Sequence, residues 1–280
     1  MNVYTTNEKL SQALSAFRST KTIGFVPTMG ALHQGHLSLV SQALQDNDCV
    51  VVSIFVNPTQ FDNEGDLKKY PRTLDKDVTL LETLQGNIIV YAPDALAFYE
   101  GNIKSRTFNF GAIANEMEGK HRKGHFDGVG TVVSRLLKIV APHKAYFGQK
   151  DFQQLQIVKK LVEIENISTT IVGCEIVREP NGVAMSSRNK RLSTTEFEEA
   201  ILISATLKEV ASKFNSLSLP ALTKLAEKKF KESNLKLEYF EIANERTLKT
   251  ALRKHKSTKY RAFVAAFCGE VRLIDNMRIN

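Results

Sequence analysis

The stretch "GFVPTMGALHQGHLSLV", Gly24–Val40, decides how the chain is read. A short apolar run, Ile23–Val26, stops at Pro27. Two glycines and two histidines follow, and an apolar pattern resumes over Leu37–Leu44 with helical spacing. A run without a polar face reads as a strand buried on both sides. Val50–Val56 and Asn87–Tyr91 repeat that texture, with a helical stretch, Leu74–Leu84, between them. Strand, helix and strand in succession predict a Rossmann-like, doubly wound parallel α/β sheet.

The clearest helix lies further on, in "FDGVGTVVSRLLKIV". Val129, Val132, Val133, Leu136, Leu137 and Val140 form one apolar stripe, and Pro142 stops it. "AYFGQKD" then reads as a strand and a glycine-containing turn, Phe152–Val162 as a helix, and Thr170–Val177 as a strand. The texture changes there. "REPNGVAMSSRNKRLS" is sixteen residues of loop chemistry, and Ser193-x-x-Glu196 opens a helix as a capping box. Lys-rich helices follow, then "LKLEYFEIA" and "RAFVAAFCGEVRLID", which read as strands. The expected division is therefore a domain over 1–177 and a smaller α+β domain over 178–280, with loop-borne chemistry at the junction.

At 280 residues, with 42% apolar and 24% charged residues, the composition is that of an ordinary globular chain. No apolar run reaches membrane-spanning length and no secretory signal opens the chain, so a cytoplasmic protein without membrane contact is expected. The formal charge is +8, and residues 221–260 hold eleven Lys/Arg against five Glu. A solvated basic face explains that segment more simply than a nucleic-acid surface, because Trp is absent and aromatics do not interleave with the charges. Cys49, Cys174 and Cys268 stand far apart in apolar contexts, which fits buried thiols and neither a zinc site nor a disulfide framework.

Chemistry is expected at the carboxyl end of the first of these strands. A helix N-terminus offers free N–H groups and a positive dipole, so phosphate is favoured there. Gly30 and Gly35 let a ligand approach the backbone, and His33 and His36 can donate toward phosphate oxygens. A metal role for the histidines would need a third ligand, and none stands nearby; a capping or packing role stays open. Gly148–Asp151 forms a second strand-to-helix turn, where Lys150 is a point charge suited to phosphate. Met185–Asn189, "MSSRN", adds two hydroxyls and an arginine, without the Gly-x-Ser-x-Gly elbow of a hydrolase.

An H-x-G-H at a strand end with a basic loop far downstream resembles the class I aminoacyl-tRNA synthetase and nucleotidyltransferase superfamily. Longer strings narrow it. "VPTMGALHQGH", "FVNPTQF", "YPRTLDKD", "RKGHFDGVGTVV", "FGQKDFQQL", "REPNGVAMSSRN" and "RLIDN" closely resemble the pantothenate synthetase (pantoate–β-alanine ligase) family. The resemblance implies condensation of pantoate with β-alanine, using ATP and Mg2+, through a pantoyl-adenylate. It implies ATP contacts at Met29, Gly30, Ala31, Leu32, His33, Gln34, Gly35 and His36, with His36 as a proton donor. Further contacts fall on Gly148, Gln149, Lys150 and Asp151, on Met185, Ser186, Ser187 and Arg188, and on Val177 at the adenine. Gln60 and Gln154 are implied for pantoate, Gln60 also for β-alanine, and Asn57 for the shape of that pocket. A homodimer is implied by the family alone. Two positions depart from the family's usual pattern: Gln149 stands where Glu is common and His143 where Asp is common.

Two other readings compete. A nucleotidyltransferase would stop after joining AMP to a phosphorylated acceptor, but the amides of "FVNPTQF" and "FGQKDFQQL" suit an uncharged polyol better. An RNA-binding module would rest on the basic C-terminal region, and salt-dependent RNA binding would reveal it.

Overall fold

The computed structural model describes residues 1–18, 20–61 and 64–280. The chain divides into two compact units. The first comprises 1–110, 122–149 and 154–175; the second comprises 111–121, 150–153 and 176–280. Two short stretches that precede residue 177 thus group with the second unit.

The first unit is built on six parallel strands: β1 (Asn2–Tyr4), β2 (Ile23–Thr28), β3 (Cys49–Ile54), β4 (Ile88–Tyr91), β5 (Lys144–Gly148) and β6 (Thr170–Cys174). Their order is β1-β4-β3-β2-β5-β6. The chain moves outward from β2 through β3 to β4, then returns to lay β5 and β6 on the other side. β2 and β5 are neighbours, pairing Gly24 with Lys144 and Phe25 with Ala145, so their carboxyl ends flank the topological switch point. Ligands bind at that place in open α/β sheets.

Strands β2, β3 and β4 are almost wholly buried and mostly apolar, as expected of strands covered on both faces. On one side Val26, Val50, Val52 and Val90 pack with Leu37, Val40 and Ala43 of the helix Gln34–Asp46 and with Leu81 of the helix Leu74–Leu81. Each such Val or Leu side chain contributes about 1.5–3 kcal/mol by leaving water.

Pro27 does not end β2. It stays in register opposite Ser53, while pairing with β5 stops at Phe25. Thr28 then closes the strand: its hydroxyl donates to the Ser53 carbonyl and accepts from Gly30 N–H, at 2.7 and 3.1 Å. The three-residue β1 gave no sequence signal, being a short, half-exposed edge strand without an apolar run. β6 is shorter than expected, ending at Cys174.

The second unit is α+β. Its antiparallel sheet runs β7 (Lys236–Asn244), β8 (Tyr260–Cys268) and β9 (Val271–Arg278) in that order. Helices Ile201–Ser212 and Leu219–Lys231 bury Leu207, Val210, Leu222 and Phe230 against Phe240, Ile242, Ala262 and Val264. The capping box at Ser193 forms with both hydrogen bonds and starts the helix Thr194–Glu199. The Lys-rich segment is part helix and part strand, and Lys228, Lys229 and Lys231 sit in the last helical turn, where the dipole favours cations. Among the described residues no helix is long and apolar enough to cross a membrane.

Candidate active site

The turn after β2 answers what the two histidines do to the backbone. His33 is the N-cap of the helix Gln34–Asp46; its Nδ1 accepts the Gly35 N–H at 3.1 Å. His36, three residues on, accepts the His33 N–H through its own Nδ1 at 3.3 Å. The pair forms a capping box made of imidazoles, with ring centroids 4.0 Å apart. Because each Nδ1 is an acceptor, each neutral ring carries its proton on Nε2. The capping reading and the phosphate reading are therefore compatible: the cap orients two Nε2–H donors at a helix N-terminus.

A second cluster in the first unit surrounds Gln60. Asn57 is fully buried and caps the short turn Pro58–Gln60 through its side-chain oxygen. Asn57 Nδ2 donates to Gln60 Oε1 at 3.2 Å, and Gln60 Nε2 donates to Met29 Sδ at 2.8 Å. Tyr99 in turn donates its hydroxyl to Asn57 Oδ1 at 2.7 Å. Burial pushes the Tyr99 phenol up, so it remains a donor.

The backbone of this turn rests on the helix His125–Val140. His125 Nδ1 donates to the Gln60 carbonyl at 3.0 Å, and its Nε2 accepts from Arg122. A Cβ on Gly128 would come within 2.2 Å of the Thr59 carbonyl oxygen, so only glycine allows this approach. The strings "FVNPTQF" and "RKGHFDGVGTVV" thus form one piece of structure.

Gly148 ends β5, and Gln149 begins the turn Gln149–Asp151. Gln149 Nε2 donates to Glu175 at 3.0 Å, a bond that an ionised glutamate in its place could not make. His143 is equally suited to its position, accepting the Ile23 N–H on Nδ1 at 3.0 Å. Gln154 is half-buried in the helix Phe152–Ile164.

The remaining candidates belong to the second unit. The loop from Val177 to Arg191 is ordered as a narrow hairpin: Arg178 bridges Ala184, Glu179 N–H donates to Val183, and Met185 N–H donates to Val177 at 3.0 Å. Val177, the residue assigned to adenine, is thereby tied directly to "MSSR". Ser186 caps the 3-10 turn Ser187–Arg191 by accepting the Arg188 N–H at 3.2 Å, and Ser187 is buried. Arg178 holds the hairpin with a two-bond clamp on Asp275 at 2.7 and 3.0 Å and a bond to the Gly182 carbonyl.

The neighbouring Asn276 donates from Nδ2 to the Lys150 carbonyl at 2.8 Å and accepts from Arg261 at 2.6 Å. Arg261 lies over the Phe152 ring, 4.0 Å from its centroid. The terminal "RLIDN" is therefore the anchor for both the hairpin and the Lys150 turn. Arg178, Asp275 and Asn276 were not among the residues singled out from the sequence, although all three lie in strings that carried the resemblance. Among the described residues no group of three or more His, Cys, Asp or Glu could hold a metal ion.

A doubly wound sheet with H-x-G-H at a switch-point helix N-terminus defines a nucleotide-binding α/β enzyme of the HxGH nucleotidyltransferase type. Comparison with known proteins makes this specific. The family profile described as pantoate–β-alanine ligase matches residues 2–278. Pantothenate synthetase from Flavobacterium psychrophilum is 56% identical over 260 residues, 92% of each chain. That from Christiangramia forsetii is 51% identical over 282 residues, covering 100% of each.

Among solved structures, pantothenate synthetase from Thermus thermophilus superposes with a TM-score of 0.92 at 35% identity, covering 100% of this chain and 99% of that one. The Francisella tularensis pantoate–β-alanine ligase, described as complexed with β-γ ATP and β-alanine, gives 0.83 at 37% identity, covering 99% and 97%. The chain belongs to the pantoate–β-alanine ligase family and is an enzyme that ligates pantoate to β-alanine.

Proposed function

We propose that the chain makes pantothenate in two steps on one ATP. The pantoate carboxylate attacks the α-phosphorus and displaces pyrophosphate, giving pantoyl-adenylate. The β-alanine amine then attacks the acyl carbon, and AMP leaves with the carboxylate oxygen that had joined it to the acyl group. Neither step requires a protein nucleophile. Positioning and charge neutralisation suffice, and together they lower the barrier most when donors are fixed before charge develops.

The observation that carries this reading is the imidazole capping box. It supports His33 and His36 as two Nε2–H hydrogen-bond donors to phosphate oxygens, placed to stabilise the charge that builds on the departing pyrophosphate. Met29–Gly35 form the surrounding ATP-binding turn. Gly148–Asp151, with Lys150 as the point charge, and Met185–Arg188 add phosphate contacts, and Val177 meets the adenine. Gln60 presents its Nε2–H to pantoate and later to β-alanine, its oxygen being occupied by Asn57. Gln154 supplies a second amide for the pantoate hydroxyls.

Mg2+ enters as MgATP. An ion that arrives with ATP would be held chiefly through the substrate phosphates, with Asp151 the one carboxylate of the Gly148–Asp151 turn. Its contribution is to neutralise phosphate charge. A cytoplasmic homodimer without nucleic-acid partners completes the proposal, on the strength of family resemblance.

Pantoate labelled with heavy oxygen in its carboxylate tests the route. One labelled oxygen is expected in AMP once β-alanine is added, and labelled pyrophosphate should exchange into ATP when β-alanine is withheld. Label in inorganic phosphate, with ADP as product, would mean attack on the γ-phosphorus and overturn the scheme.

A further inference from the structure

The turn Met29–His33 is backbone of an unusual kind. Gly30 has φ +83° and Ala31 has φ +51°, a left-handed conformation that costs a residue with a side chain about 1–2 kcal/mol. A compensating partner holds it there. Asp77, in the first turn of the helix Leu74–Leu81, accepts the Ala31 N–H on Oδ2 at 2.9 Å and the Leu32 N–H on Oδ1 at 2.8 Å. Thr73, the residue before that helix, donates its hydroxyl to Oδ1 at 3.2 Å. The Asp77 side chain is buried, its residue only 2% exposed, as are Ala31 and Leu32. The fit is close on the other side too: a Cβ on Gly30 would stand 3.1 Å from Asp77 Oδ2 and 3.1 Å from Ile54 Cγ2.

We infer that Asp77 is a positioning residue for ATP, acting through the turn that carries the two histidines. Its carboxylate turns two successive amides inward. Gly30–Leu32 therefore shape the nucleotide site without donating the Ala31 and Leu32 N–H groups to phosphate, unlike a glycine-rich loop whose amides cradle the ligand. Donation is left to the helix N-terminus and to the imidazoles beyond it. A carboxylate is required because it alone offers two acceptor oxygens of this span; an amide of the same shape would set its NH2 against one of the two donors. The inference rests on the proposed role of Met29–His36 in binding ATP.

The test compares Asp77→Asn and His36→Ala in the full-length enzyme, reading kcat and KM for ATP and pantoate separately, with unfolding curves alongside. Asp77→Asn is expected to raise KM for ATP tenfold or more while KM for pantoate stays within threefold. In the Asp77→Asn/His36→Ala double variant the losses should be clearly less than additive, since both act through one turn. Thr73→Val, which removes the hydroxyl bonded to Asp77, should raise KM for ATP two- to fivefold, and it stands in should Asp77→Asn fail to fold. A damaging His36→Ala beside an ATP response unchanged in Asp77→Asn, or in Thr73→Val when that variant stands in, would overturn the inference alone. Additive losses, or equal rises in both KM values, would also overturn it. If His36→Ala itself left ATP kinetics unchanged, the reading of the turn would fail first.

Discussion

Two loops carry most of the proposed ATP contacts, one in each unit, and each is tied down by a single buried aspartate in a different manner. The turn Met29–His33 is held through its main chain, whose amides reach Asp77. The hairpin Val177–Met185 is held through a side chain, the Arg178 guanidinium clamped on Asp275. A main-chain anchor fixes conformation residue by residue without using the side chains of the loop it holds. A side-chain anchor fixes one point, so the hairpin needs its own internal ladder from Arg178 to Ala184. The first loop is therefore rigid because of what it is tied to, the second because of how it is folded on itself.

The largest expected effects take one residue from each unit. His36→Ala and Lys150→Ala should each lower kcat about 100- to 1000-fold, the cost of removing one fixed donor from developing charge. Circular dichroism and unfolding midpoints should show an intact fold. More than a third of the wild-type rate at saturation in either variant would remove that residue from the site and leave the comparison with a single functional side.

What could be read from sequence follows the same contrast. The parallel sheet was legible because its central strands β2, β3 and β4 are largely apolar runs, and the switch-point turn because glycine and histidine announce themselves locally. The capping box of Ser193 and Glu196 was legible for the same reason. The anchors were not. Asp77 lies 46 residues from Ala31, and Asp275 lies 97 from Arg178; no periodicity or spacing links such pairs. Gly128 escaped as well, since a glycine inside an apolar helix signals a close approach without saying to what. Its partner, the Thr59 carbonyl, appears only when the helix and the turn meet.

Asp275→Ala probes the side-chain anchor. It leaves the Arg178 guanidinium, four-fifths shielded, without its carboxylate, and breaking such a pair costs about 3 kcal/mol. The urea midpoint should fall with an unchanged slope, and KM for ATP should rise more than KM for pantoate. An unfolding free energy within about 0.5 kcal/mol of wild type would mean that the internal ladder alone holds the hairpin.

The first unit also contains a side-chain clamp, and pH can open it. Glu165 accepts from Arg106, Lys138 and Ser134, and chiefly the Arg106 hydrogen bonds hold its carboxyl down at about 2. A depressed carboxylate adds stability that is complete above its ordinary value of 4.5 and is lost as pH falls toward 2. Arg106 and Lys138 are each more than half exposed, so solvent screening reduces the contribution to about 1–2 kcal/mol. Glu165→Gln should lower stability by that amount at pH 7 and flatten its fall between pH 4.5 and 2. An unchanged acid limb would show that the clamp is only a surface pairing.

The smallest effect expected is none at all on the chemical step, from the cysteines. Cys49 begins β3, at the edge of the sheet opposite the switch-point turn, and Cys174 ends β6. Burial pushes both thiols up to about 11, so at pH 8 only about one in a thousand is a thiolate. Cys268 is also raised by burial, and its Sγ donates to the Glu196 carbonyl at 3.2 Å, beside the capping box. Each thiol is thus buried in its own unit. Alanine at all three positions should leave kcat within twofold, with a stability loss of about 1 kcal/mol per site from the vacated volume. A native-state thiol reagent should react slowly and at a rate indifferent to ATP. Protection by ATP would single out Cys174, the one cysteine on the carboxyl edge, and would extend the nucleotide site across the end of β6.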